Sequence, residues 1–467
     1  MEKAFQRYRA LQLYSHAVPG LWGLLFAAVL YFDALQYRLF LHSWSTALER
    51  FLLPAVLAGL CFLVTRLRFD ARIAIANMLA ALIVSLYAGE IYLAHRLKVF
   101  QRHVAQVSGK KFDRRDKLRV THDLRRRGID AYPVVRAENM LLGDQHGVLR
   151  PVLYLGGKPL LPLGSIPGTT VVSCNETGQW QIYEADRHGF NNPDSQWDAR
   201  PAIGMVGDSF THGSCVPSDR NMAAVLRQHF GGVLNLGVGG FGPLLELAAL
   251  TEYLRPLKPP LVLWVFFEGN DLTEDLPREM QSPLLRRYLE DDGFSQDLIH
   301  RSDELKTAMR GYLDGQLREV MNRVDDPYED LARDLSLDRV RELIGVGHVQ
   351  IGFNAGRLDS ELAQFDEILR KADQRVADWG GRLDLVYLPE SDRYLSKVGT
   401  SVLRQTIYRG VRRITTRAHI PMIDVAAAFA GHPSPDTLYA YPGAHYNAKG
   451  YRLAAETIAR ALAGTTP

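Results

Sequence analysis

The sequence predicts an α/β domain over residues 201–467, with a parallel sheet covered on both faces by helices. It places this domain after three N-terminal transmembrane helices and a small β-rich segment. Three observations predict that arrangement. After Pro201, short and continuously apolar runs alternate with helical segments, which suits strands buried on both faces. Three apolar stretches with few charges precede residue 95. Between 130 and 200, β-branched runs are broken by Gly-Gly, Pro and Asn.

The apolar stretches are 18–32 "VPGLWGLLFAAVLYF", 51–65 "FLLPAVLAGLCFLVT" and 73–94 "IAIANMLAALIVSLYAGEIYLA". A bilayer core needs about 20 apolar residues per helix, so the third spans alone and the first two need their flanks. Residues 1–95 are therefore read as a membrane anchor, with Glu90 facing a helix neighbour rather than lipid. The first stretch lacks a small-residue cleavage site and further spans follow, which argues against a signal peptide. The flanking charges divide. Lys3, Arg7, Arg9, Arg66, Arg68 and Arg72 favour an inside N-terminus and an outside soluble domain, whereas Arg96, Lys98, Arg102, Lys110 and Lys111 argue the reverse. An outward-facing domain, in the periplasm or at the cell exterior, is the expectation.

Residues 96–129 are strongly charged and read as a basic linker, solvated or in contact with anionic headgroups. Residues 130–200 form the β-rich accessory segment, closed by the polar turn cluster "DRHGFNNPDSQWD". From 201 the expected strands are "AIGMVG", "GVLNLGV", "LVLWVFF", "RLDLVYLP" and "MIDVA", with helices near 219–230, 243–255, 402–417 and 448–463. A charged helical insertion occupies about 274–350.

The 467 residues carry a formal charge of only +3 and are 47% hydrophobic, which gives no reason to expect nucleic acid as a partner. Cys61, Cys174 and Cys215 exclude a disulfide scaffold and lack the paired spacing of a zinc site, so neither metal nor cofactor is expected. Cys174 and Cys215 are read as two unrelated buried thiols. One disulfide between them stays open if the domain faces an oxidising compartment.

Ligands of doubly wound sheets bind at the carboxyl ends of the strands, and four stretches of chemical interest sit there. "MVGDSFTHG" puts Ser209 after the first strand and before a helix, as a nucleophile or as an N-cap. "NLGVGGFGP" follows the second strand, where Gly239 and Gly240 admit a substrate oxygen to a backbone N–H or simply make a turn. "FEGNDL" ends the third strand with Asn270, whose amide can donate to an oxyanion or make an Asx-turn. "GAHYNAKGY" puts His445 before the last helix, as a general base or as a structural histidine.

In this order on an alternating fold, the four stretches resemble the SGNH, or GDSL, hydrolase family over about residues 200–464. The resemblance implies a flavodoxin-like three-layer α/β/α sandwich and a serine mechanism on ester-linked acyl groups. It makes Ser209 the nucleophile and His445 the base, with Ser209 N–H, Gly240 N–H and the Asn270 amide as oxyanion hole. Three positions depart from the family pattern. Phe210 stands where leucine often follows the serine, and Glu268 replaces the first glycine of Gly-x-Asn-Asp. Pro442 takes the place of the aspartate three residues before the histidine. Asp424, Asp436 or a backbone carbonyl could orient His445 instead, and no third member is assigned.

The resulting expectation is a membrane-anchored esterase or acyltransferase acting on O-acyl groups, acetyl in particular, of a cell-surface carbohydrate. A non-catalytic binding or assembly subunit, suggested by Pro442 and Glu268, and a lipid-directed esterase, suggested by the basic linker, are the alternatives.

Overall fold

In a computed structural model, the protein is described over residues 2–35, 52–109, 111–144, 147–324, 340, 355–395 and 398–464. It divides into two units, one of residues 1–103, 143–148 and 326–351, the other of 104–142, 149–325 and 352–467. Much of the expected insertion, 325–339 and 341–350, lies outside the described residues.

The first unit holds α1 (Glu2–Leu35), α2 (Leu53–Val64) and most of α3 (Phe69–Ser108). Among the described residues only one helix, Phe69–Arg102 within α3, is long and apolar enough to cross a membrane. This corrects the expectation of three transmembrane helices. Among the described residues the second expected span forms a helix of 12 residues, and at 1.5 Å per residue that is about 18 Å against a hydrocarbon core of about 30 Å. The first expected span is part of α1, whose opening turns carry Glu2, Lys3, Arg7 and Arg9. Large apolar side chains stand out along these helices, with Met78 71%, Val84 69% and Ile91 68% exposed. Glu90 is buried and accepts the Val340 N–H at 2.9 Å, so it has a protein neighbour.

The second unit begins with α4 (Lys117–Arg126), drawn from the stretch read as a linker. The Asp116 side chain caps it by accepting from Arg119 N–H. Val120 and Thr121 are buried where α4 packs on a three-stranded sheet. That sheet has β1 (Ala131–Pro133) parallel to β2 (Thr170–Cys174), which pairs antiparallel with β3 (Gln181–Glu184).

The main sheet is parallel, built of β4 (Ile203–Gly207), β5 (Val233–Asn235), β6 (Leu261–Phe267), β7 (Arg382–Leu388) and β8 (Met422–Asp424). Its spatial order is β5-β4-β6-β7-β8, the flavodoxin-like order. The strands fall where the apolar runs predicted them. Alternation of side chains across each strand feeds two cores: Leu263, Val265 and Phe267 of β6 enter one, Val262, Trp264 and Phe266 the other. Into the first pack α6 (Met222–Phe230) and the C-terminal helix α13 (Ala448–Ala463). The second receives α7 (Pro243–Ala249), α8 (Pro283–Glu290), α9 (Ser302–Val324) and α10 (Ala355–Asp378). The short α5 (Ser209–His212) precedes α6, and α11 (Val398–Ala418) and α12 (Val425–Ala430) lie between α10 and α13 in sequence.

The chain leaves β4 for β5 on one side, then returns to β6 on the other. The crevice between β4 and β6 is the topological switch point, where such sheets place ligands. Ser209 lies just beyond β4 and Asn270 just beyond β6. Gly207 pairs with Val265, so both residues emerge at the same edge.

Candidate active site

Asp208, not Ser209, caps α5. Its carboxylate accepts the Phe210 N–H at 2.8 Å, which leaves the Ser209 hydroxyl free of the capping role. Burial first, and against it the Phe210 hydrogen bond, sets the Asp208 carboxyl at about 6. The Ser209 Oγ stands 2.9 Å from His445 Nε2, the contact a nucleophile and its base require. Phe210 stacks on Phe267 with ring centroids 3.8 Å apart and lies 4.9 Å from the His445 ring. The phenylalanine that replaces leucine thus becomes a wall for the imidazole. On the C-terminal side, Ala440 N–H donates to His445 O, and Asn447 caps α13 through Lys449 and Gly450 N–H.

The residue that orients His445 is Glu176, which sequence reasoning did not find. Its Oε1 lies 2.7 Å from His445 Nδ1, and its Oε2 accepts the His445 backbone N–H at 3.0 Å. Neither acid offered by the sequence takes this position. Asp424 caps α12 through Ala427 N–H and accepts from Tyr408 Oη. Asp436 sits in the short turn Pro435–Leu438. Pro442 is exposed.

Glu176 belongs to the turn between β2 and β3, and that turn is held from three sides. Asn175 Nδ2 donates to Asp113 O and Asp113 N–H donates to Gly178 O, while Trp180 Nε1 donates to Arg115 O. Cys174 and Cys215 form a disulfide with Cα atoms 5.0 Å apart. This corrects the reading of two unrelated thiols. The bridge joins the strand end before Glu176 to the loop after α5, and Cys215 Sγ lies 3.5 Å from His445 Nδ1. Cys174, Glu176, Cys215 and His445 bring their ligand atoms within 4.8 Å of one another, the donor types of a metal site. Two joined sulfurs offer no thiolate, however, and metals bind the thiolate, so in this form the quartet does not fit a metal.

Gly240 has φ +80°, a conformation that favours glycine, and a Cβ there would meet the Glu138 carboxylate at 2.7 Å. A Cβ on Gly239 would lie 3.5 Å from Ser209 Cβ, so the glycine loop borders Ser209. Asn270 makes no side-chain capping bond, and its Oδ1 is buried without a partner among the described residues. Its amide is therefore not engaged as an N-cap. Farther back, burial holds the His212 imidazole near 4 and so neutral, between Tyr183 Oη at 3.1 Å and Ser214 Oγ at 3.3 Å.

Behind the Asn270 loop lie four buried carboxyls, Glu246, Asp271, Asp275 and Glu279. Burial, then neighbouring carboxyls, raises Asp275 to about 9 and pushes Glu246 and Asp271 well above the usual range. Burial also raises Glu279 to about 8, although its oxygens accept the Gly242 and Leu244 N–H groups at the start of α7. Unfolded, these acids titrate near 4, so between about pH 4 and 9 the folded state holds more protons and stability falls as pH rises. The melting temperature of the protein is expected to drop by several degrees between pH 6 and pH 9. Glu246→Gln, which removes one such titration, should flatten that drop in thermal unfolding followed by circular dichroism. An equally steep drop in the variant would refute the assignment of Glu246 as a buried neutral acid.

Among solved structures, the chain is similar to a lipolytic protein of the G-D-S-L family from Desulfitobacterium hafniense DCB-2, at 13% identity, covering 55% of this chain and 97% of that one with a TM-score of 0.32. It is also similar to a lipase/acylhydrolase from Enterococcus faecalis, at 15% identity over 56% and 96% of the two chains and a TM-score of 0.32. An acetyl xylan esterase matches at 10% identity over 56% and 98%, with a TM-score of 0.31. No curated protein matches the chain. Residues 205–453 match the GDSL-like Lipase/Acylhydrolase family. That span takes in Ser209, Gly240, Asn270 and His445 and leaves Glu176 outside it. It is more than half of the chain, which therefore belongs to the GDSL-like lipase/acylhydrolase family and is a hydrolase.

Proposed function

We propose that the protein is a membrane-anchored serine esterase or acyltransferase acting on O-acyl groups, acetyl in particular, of a cell-surface carbohydrate. The observation that carries the mechanism is the line Ser209 Oγ, His445 Nε2, His445 Nδ1, Glu176 Oε1, with links of 2.9 and 2.7 Å. Ser209 attacks the acyl carbonyl while His445 takes its proton and returns it to the leaving alcohol, forming an acyl-enzyme. Glu176 fixes the imidazole with Nδ1 protonated, so that Nε2 faces the hydroxyl as acceptor. Ser209 N–H, Gly240 N–H and the Asn270 amide receive the oxyanion, each such donor contributing about 2.7–4 kcal/mol in the transition state.

Two features support the location. The Phe69–Arg102 helix supports an anchor, and the Cys174–Cys215 bridge supports an oxidising compartment, outside the cytoplasm. The carbohydrate substrate and its acetyl group come from family resemblance and from that location. Glu176 supplies the acid that Pro442 cannot, which removes one of the two motives for a non-catalytic role.

Purified full-length protein should turn over a chromogenic acetyl ester and react with a fluorophosphonate at Ser209, located by peptide mass spectrometry. Absence of both would overturn the esterase reading. Acetate release that rises only when an oligosaccharide acceptor is withheld would identify transfer rather than hydrolysis.

A further inference from the structure

One cation beside Ser209 has no role in the acyl transfer just described. The point that a Gly239 Cβ would occupy lies 3.4 Å from Arg136 Nε and 3.5 Å from Ser209 Cβ. The guanidinium and the nucleophile therefore flank the same small space, kept open by a residue without a side chain. Arg136 is exposed, and its contact with Glu138 is a long one of 3.5 Å. Glu138 is already held by Arg278, through Nη1 at 2.5 Å to the carboxylate and Nη2 at 3.0 Å to the backbone carbonyl. One carboxylate thus faces two arginines, and the one nearer Ser209 is the less engaged.

Resting on the esterase reading above, we infer that Arg136 forms an anion subsite beside Ser209, selecting esters whose alcohol carries a carboxylate or phosphate near the acyl group. For a carbohydrate substrate this means an acidic sugar, a uronate or a phosphorylated residue, rather than a neutral one. Arg136 can hold such a group in two parallel hydrogen bonds. Gly239 leaves the room for it. An exposed cation with only a long carboxylate contact stays largely solvated, whereas an anionic substrate replaces that water with a charge-assisted contact.

The test compares three aryl acetates that share one scissile bond: 3-acetoxybenzoate, its neutral methyl ester, and 3-acetoxyphenyl phosphate. Rates are corrected for intrinsic lability by the hydroxide reaction. The wild-type protein at low ionic strength is expected to prefer at least one anionic ester by about tenfold in kcat/KM, mainly through KM, as 1.4 kcal/mol of binding would give. Whichever arm is preferred distinguishes carboxylate from phosphate. The preference should fall toward one in Arg136→Gln, should persist in part in Arg136→Lys, and should fade at high salt. Melting temperatures identify any loss that is due to unfolding. A wild-type preference near one, or a preference that Arg136→Gln leaves intact, overturns the subsite while the esterase reading stands. Failure to hydrolyse any of the three overturns both.

Discussion

Replacing Glu176 by glutamine is expected to lower kcat on a chromogenic acetyl ester by roughly 10⁴-fold, with KM little changed. Glutamine keeps the size of the side chain but presents an amide to His445 Nδ1. Where an amide replaces the carboxylate of a catalytic triad, the imidazole is stabilised in the wrong tautomer, and the proton sits on the nitrogen that should accept from serine. Here Glu176 meets Nδ1 at 2.7 Å and also takes the His445 backbone N–H at 3.0 Å, so the same substitution loosens the loop as well as the ring.

The acid acts through His445 and does not touch the acyl group. Its contribution is therefore read in kcat and its pH dependence rather than in substrate affinity. Glu176→Asp, which keeps the charge on a shorter stem, should recover part of the rate. A purely structural role predicts something else: lost melting temperature and parallel loss in both variants. If Glu176→Gln retains more than about a tenth of the wild-type kcat while folded, the backbone or another acid orients His445 and the triad assignment is wrong.

The sheet was legible because it rests on local signals: continuous apolar runs such as "LVLWVFF" mark strands buried on both faces. Ser209 and His445 were legible only through the joint resemblance of four stretches at strand ends to one family. Glu176 carries no such signal. It lies outside the alternating pattern, on a turn whose position depends on β2, on Asp113 and Arg115, and on a pairing between distant cysteines. Cys174 and Cys215 flank Glu176 and Ser209 in sequence, so pairing them would have placed the acid beside the nucleophile. Reading them as separate thiols hid it. The second membrane span failed for a related reason. An apolar run records which residues avoid water, whereas the length of the helix it forms depends on where the chain turns, and among the described residues Leu53–Val64 is 12 residues long and ends at Thr65.

Glu268→Ala is expected to destabilise the hydrolase domain by about 3–5 kcal/mol, the cost of stranding a buried charge. The sequence presents Glu268 as a departure from a glycine of the family pattern; in the fold it is the centre of a buried network. Its carboxylate accepts from Tyr387 Oη at 2.6 Å, from Glu390 N–H at 3.0 Å and from Arg393 Nε at 2.7 Å, and Arg393 Nη2 makes a further ion pair with it. Its backbone carbonyl accepts from Arg404 Nη1 at 3.0 Å. The Glu268 side chain is fully buried and that of Arg393 is 11% exposed. Burial opposes the Arg393 charge, but the hydrogen bond it donates to Glu268 wins and raises its pKa. Alanine would leave that guanidinium and the Tyr387 hydroxyl facing a void. The melting temperature should fall by about 10 °C or more, and the ends of β6 and β7 should exchange amide hydrogens faster. Because Asn270 follows two residues later, any variant that remains folded should also lose kcat through a misplaced amide. Replacing Glu268 and Arg393 together by apolar residues should recover part of the stability, since the pair's desolvation cost then disappears with it. A melting temperature within about 2 °C of wild type for Glu268→Ala would mean that solvent reaches Arg393 and that the network does not hold these strand ends.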